Sequence, residues 1–184
     1  MMASSVPLCG STLIVGPTNV GKTRHTAAAL DRWVADHGSA DVAVLEFAPE
    51  LERDGRVLGG RLTRFTTIPD EIYYGRIDAR APRAESDTQE EAIALARTNA
   101  ARAARVISAA PDDPDAVFVN DATIPLQADT NRTTELLDYC SSASVVVCNA
   151  FESNELGVDD RISRTERAAL SRLREWADRV VEPS

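Results

Sequence analysis

The sequence predicts an α/β protein, a three-layer αβα sandwich built around a mostly parallel sheet. Three observations lead there. Apolar, β-branched runs alternate along the chain with alanine-rich or capped helical segments. The first of these runs enters a glycine-rich loop that opens a helix. The 184 residues leave room for one domain, spanning 1–184, with a single sizeable core.

Each element has its own local signal. Thr12-Leu13-Ile14-Val15 reads as a buried parallel strand, and Thr26 to Val34 supplies the helix formers that follow it. Asp41 to Phe47 reads as a second strand, ended by the turn signal Ala48-Pro49. Arg61 to Ile68, after Gly59-Gly60, predicts a short strand with one wet face. Residues 69–85 hold Pro69, Gly75 and Pro82 among many charges and read as a loop, long enough to be functional. Ser86 and Gln89 have capping-box spacing at the start of a helix over 87–109, whose stripe is Ile93, Ala96, Ala100, Ala103 and Ile107. Ala116 to Asp121 is a third strand, 130–141 a helix and Ser144 to Asn149 a fourth buried strand. Ser163 and Glu166 suggest the cap of a last helix running to Ala177, and Arg179 to Glu182 a final short strand.

Composition narrows the function. Lys+Arg total 20 against 29 Asp+Glu, a net charge of -9. That overall field disfavours nucleic acid and anionic membrane as partners. No apolar run reaches the ~20 residues of a membrane span. Met1 to Pro7 has no basic segment ahead of an apolar one. Cys9, Cys140 and Cys148 lack metal-ligand spacing. These observations together predict a cytoplasmic protein with reduced thiols. His25 and His37 stand alone and are not predicted to bind metal.

Every basic residue but one is arginine, and the exception, Lys22, falls inside a motif. Gly16-Pro17-Thr18-Asn19-Val20-Gly21-Lys22-Thr23 matches G-x-x-x-x-G-K-[ST] in full. A strand, such a loop and a helix aim backbone N–H groups and a helix N-terminus at an anion. Lys22 suits the β- and γ-phosphates as a point charge. The Thr23 hydroxyl suits Mg²⁺. Asp121, at the C-terminal tip of the third strand, is the candidate second metal ligand, or else a residue that merely turns the chain. Ala122 follows it where many fast hydrolases carry a glutamate, so slow hydrolysis or transfer to an acceptor is expected. Glu46 is the nearest substitute base, or else a strand-end charge. Arg24 follows the loop directly. Arg161, Arg164 and Arg167 recur every third residue, either as a clamp on the triphosphate or as a solvated face paired with Asp159, Asp160 and Glu166.

The chain resembles RecA-like phosphate-loop NTPases of the corrinoid (vitamin B12) pathway. The P-loop ATP:corrinoid adenosyltransferase family is suggested by Gly21-Lys22-Thr23 with its alanine-rich helix, Leu45-Glu46-Phe47, and the acid-ended strand before Ile124-Pro125-Leu126. Val145-Val146-Val147 and the ending Ala177-Asp178-Arg179-Val180-Val181-Glu182 complete the likeness. A weaker likeness is to adenosylcobinamide kinase/guanylyltransferase, through Gly21-Lys22-Thr23-Arg24-His25, Val147-Cys148-Asn149 and the same ending. The resemblance implies a nucleotide site over residues 16–24.

The resulting expectation is an Mg²⁺-dependent protein that binds ATP or GTP, acting as a slow NTPase or as a group transferase on a small acceptor. Two alternatives stand beside it. One is a small-molecule kinase with residues 159–174 as a lid. The other is a non-catalytic switch that recruits a protein partner through 69–85.

Overall fold

The computed structural model describes residues 5–184, so the expectation drawn from Met1 to Pro7 falls partly outside it. Its strands are β1 (Gly10–Gly16), β2 (Val42–Glu46), β3 (Glu50–Arg53), β4 (Arg56–Gly59), β5 (Tyr73–Arg76), β6 (Ala116–Asn120), β7 (Val145–Phe151) and β8 (Arg179–Val181). Its helices are α1 (Lys22–His37), α2 (Pro82–Glu85), α3 (Gln89–Ala109), α4 (Asn131–Ser141) and α5 (Arg161–Trp176). Six strands form one sheet in the order β5-β2-β6-β7-β1-β8, and every ladder in it is parallel. β3 and β4 form a separate antiparallel hairpin.

The central strands are apolar on both faces because helices cover both. On one side, Ala27, Ala29, Leu30 and Trp33 of α1 pack on Ile14, Val42, Val44, Phe118 and Val147. On the other, Ala103 of α3, Leu136 of α4 and Leu170 and Leu173 of α5 pack on Leu13, Leu45, Val117, Val119 and Val146. Alternate residues of one strand therefore enter opposite cores. β1 and β7 are neighbours, yet the helices that follow them, α1 and α5, lie on opposite faces. Connections diverging from adjacent strand tips open a crevice at the C-terminal edge of a parallel sheet.

Several local expectations change. Arg61 to Ile68 holds a 3-10 turn at Leu62–Arg64 instead of a strand. The Leu62 N–H is taken by the Glu46 carboxylate at 2.8 Å, which withdraws it from any ladder. Residues 69–85 are not a plain loop, since β5 pairs with β2 and α2 follows it. That pairing partner lies far away in sequence, beyond the reach of a local pattern. α3 is capped by Thr88 with Glu91 rather than by Ser86 with Gln89. Ser86 donates to Pro82 O and so closes α2. α5 is capped by Asp160, whose Oδ1 accepts from Ser163 N at 2.9 Å. α5 is also no lid: Ile162, Ala169, Leu170 and Leu173 are buried in the cores.

Candidate functional site

The loop between β1 and α1 curls because two glycines allow it. Gly16 has φ +153, and a Cβ there would meet Val20 Cγ1 at 3.0 Å. Gly21 caps α1 in the left-handed region at φ +94. No acidic residue lies in the first turn of α1, and no side chain caps it. Among the described residues, the backbone N–H groups of Thr18 to Arg24 have no protein acceptor; the first amide of the segment to find one is that of His25, which donates to Gly21 O at 3.0 Å. Lys22 Nζ reaches back to Gly16 O at 2.8 Å and Pro17 O at 2.5 Å. Burial pulls its pKa below the usual range, while the nearby Asp121 and Glu155 carboxylates push it back up.

The loop forms one wall of a cavity of about 590 Å³. Thr18 to His25 line it on one side, and Asn120, Asp121 and Asn149 from the tips of β6 and β7 line the floor. Arg83, Gln127 and Glu166 close the far wall. Phe65, Arg64 and Leu156 stand around the same space.

Asp121 adopts φ +60, a conformation to which aspartate adapts better than most residues. Its N–H donates to Asn149 Oδ1 at 2.9 Å. Its Oδ1 is sealed from solvent and has no hydrogen-bond partner. Burial raises the Asp121 pKa to about 7; the charges of Glu166 and Glu46 add to the rise, and Lys22 and Arg83 oppose it. A buried carboxylate oxygen without a donor is costly in an apoprotein environment, and it suits a cation or a proton donor.

Beneath the cavity runs a chain of amides. Asn149 Nδ2 donates to Thr26 Oγ1 and to Asn120 Oδ1, both at 2.8 Å. Asn120 Nδ2 donates to Glu46 Oε1 at 2.6 Å and to Gly60 O at 2.8 Å. Thr26 Oγ1 donates to Lys22 O at 3.1 Å. The strand tips, the first turn of α1 and the segment after β4 are thereby fixed in one polar lattice.

The residues singled out in the sequence separate into two groups. Pro17 apart, whose backbone O holds Lys22, the loop residues Thr18, Asn19, Val20, Gly21, Lys22, Thr23 and Arg24 line the cavity together with Asp121. Gly16 shapes the loop from beneath. Glu46 does not reach the cavity: it is fully buried and engaged by Ala48 N, Leu62 N and Asn120. Arg161, Arg164 and Arg167 are exposed and do not line it either. Glu166, expected to pair with that series, instead binds Arg83 at 2.8 Å.

Arg83, Gln127 and Asn149 were not visible as site residues. Arg83 is half of a shielded ion pair that also donates to Ser163 Oγ at 3.0 Å. Its only local mark is the preceding Pro82, which starts α2. Gln127 Nε2 donates to Glu166 Oε2 at 2.5 Å, and its buried Oε1 has no partner.

Among the described residues no group of three or more His, Cys, Asp or Glu side chains could hold a metal ion. A cation here would therefore need oxygen from a ligand as well as from Thr23 and Asp121. No helix of the described residues is long and apolar enough to cross a membrane. Comparison of the chain with protein-family models yields no match, and comparison with curated proteins yields none either.

Proposed function

We propose that this is a P-loop NTPase of the RecA-like kind, which binds ATP or GTP with Mg²⁺ and either hydrolyses it slowly or transfers part of it to a small acceptor. The observation that carries the reading is the run of acceptor-free amides from Thr18 to Arg24, curled beside Lys22 on a cavity that Asp121, with its unpartnered oxygen, also lines. Such a nest of N–H groups at a helix start is an anion site. Lys22 would exchange its two loop carbonyls for phosphate oxygens, a stronger charge-assisted pairing.

The donor set fits a hard cation. Thr23 offers a hydroxyl and Asp121 a carboxylate, and the triphosphate would supply further oxygens. Bound there, Mg²⁺ would neutralise charge on the β- and γ-phosphates. The chain's own part is to hold the phosphates through the amides of 18–24, to balance their charge with Lys22, and to keep Asp121 buried.

The carboxylates lining the cavity favour transfer over rapid hydrolysis. Among the described residues they are Asp121 and Glu166, and Glu166 is taken by Arg83 and Gln127. Ala122 is buried and offers no base. The finer form of this reading, a corrinoid adenosyltransferase-like reaction, rests on the likeness of the sequence motifs. A switch built on 69–85 has less support: β5 is paired into the sheet, and Arg80 exchanges backbone hydrogen bonds with Asn99 at 2.9 and 2.8 Å.

The test is calorimetric titration of the full chain with Mg-ATP and Mg-GTP. Lys22→Ala is expected to weaken binding by a factor of about 30 or more, as for a buried charge pair losing one partner, with an unchanged circular dichroism spectrum. Equal affinity in both proteins would remove the nucleotide assignment.

A further inference from the structure

The large hydrophobic side chains exposed among the described residues are Phe65, at 39%, and Leu156, at 44%. Both line the cavity that holds the phosphate loop. Isolated exposed apolar residues are ordinary, but two lining the cavity that also holds the loop amides and Lys22 ask for a ligand with an apolar face as well as a charged one.

Phe65 also has company. The guanidinium carbon of Arg24 lies 5.2 Å from its ring centroid and that of Arg64 5.7 Å. Arg24 is the residue next to Thr23, so this cluster of planar groups begins where the candidate phosphate site ends. The cluster is anchored from several sides. Glu46 Oε2 accepts from Leu62 N at 2.8 Å, and Asn120 Nδ2 donates to Gly60 O at 2.8 Å. Phe65 N donates to Leu62 O at 2.9 Å. Thr66 Oγ1 donates to Asp31 on α1. A segment tied to β2, β6 and α1 holds an aromatic ring partly in solvent, although burying it would be favourable.

We propose that Phe65, with the planar guanidinium groups of Arg24 and Arg64, is the seat of the nucleobase. This rests on the reading of the neighbouring loop as a triphosphate site. Stacking on an aromatic ring and on guanidinium planes accepts any base, because every base has a π-face. The seat therefore selects a nucleotide over a bare polyphosphate without strongly separating adenine from guanine.

The experiment titrates wild type and Phe65→Ala with Mg-ATP, Mg-GTP and Mg-tripolyphosphate. Phe65 is 39% exposed, and an unchanged circular dichroism spectrum checks that the alanine variant keeps the fold. The expected result is a loss of about tenfold for both nucleotides and unchanged affinity for tripolyphosphate, with Phe65→Trp restoring the nucleotides. Equal loss for all three ligands, no loss for the nucleotides, or wild-type preference for tripolyphosphate over ATP would each overturn the seat. Failure of wild type to bind any of the three, or tripolyphosphate binding unaffected by Lys22→Ala, would instead overturn the phosphate site beneath it.

Discussion

Glu46 and Asp121 stand at the C-terminal ends of neighbouring strands, and burial pushes both carboxyl groups up to about 7. Their surroundings differ. Glu46 receives Asn120 Nδ2 at 2.6 Å, Leu62 N at 2.8 Å and Ala48 N at 3.3 Å, and has no exposed surface. Asp121 accepts nothing at Oδ1 and faces a cavity. A raised pKa alone therefore does not mark a functional group. The satisfied carboxylate is scaffolding, which ties the Gly60–Thr66 segment to the sheet. The unsatisfied one is where a ligand would complete the structure.

The sharpest way to break this contrast is to neutralise each acid. Asp121→Asn is expected to abolish the gain in nucleotide affinity on adding Mg²⁺, an effect of about tenfold or more, read by titration with and without the ion. Its stability at pH 8 should equal or exceed that of wild type, since a buried charge beside Glu166 and Glu46 is removed. Metal dependence surviving in Asp121→Asn would move the cation elsewhere.

Glu46→Ala should do the reverse. It leaves Leu62 N and Asn120 Nδ2 short of an acceptor, at a cost of about 2–4 kcal/mol. Denaturant unfolding would register that loss, while Mg²⁺ dependence persists. An unaltered unfolding midpoint would show that the buried acid anchors nothing.

A smaller effect lies in the pH dependence of stability. Burial raises the Glu46 pKa to about 7 against the hydrogen bonds from Leu62, Asn120 and Ala48 and the charge of Arg61; Asp121 and Tyr74 are its other titratable neighbours. A carboxyl group with a folded pKa above its unfolded value of roughly 4 binds its proton more tightly when folded. Its contribution is fully present below about pH 4 and is lost as pH rises toward about 7. Wild-type stability should fall across that window, and Glu46→Gln should flatten the slope in unfolding curves taken at intervals of pH. An identical slope in both proteins would place the titration on Asp121 or another group.

The legibility of the molecule follows the range of its interactions. The strand, loop and helix at residues 10–37 could be read because the motif, its glycines and the flanking apolar runs are contiguous. Asp121 could be placed because a parallel strand exposes its C-terminal tip. Arg83 could not, because its meaning lies in Glu166 on another helix. The arginine series on α5 looked attractive by spacing, yet helical spacing alone does not say which face meets solvent. Arg161, Arg164 and Arg167 are on the exposed one. β5 escaped notice because its ladder is made with a strand far back in the chain.

By itself, the sequence determined the alternation of strands and helices and the curled loop carrying the lone lysine, because periodicity, glycine and capping act over a few residues. Only the tertiary structure decided that Glu46 is sealed while Asp121 is left unpaired, that Arg83 belongs to the cavity, and that Phe65 is held at its rim. Those properties depend on which distant groups fill each hydrogen bond and cover each face, and that is settled when the layers close on one another.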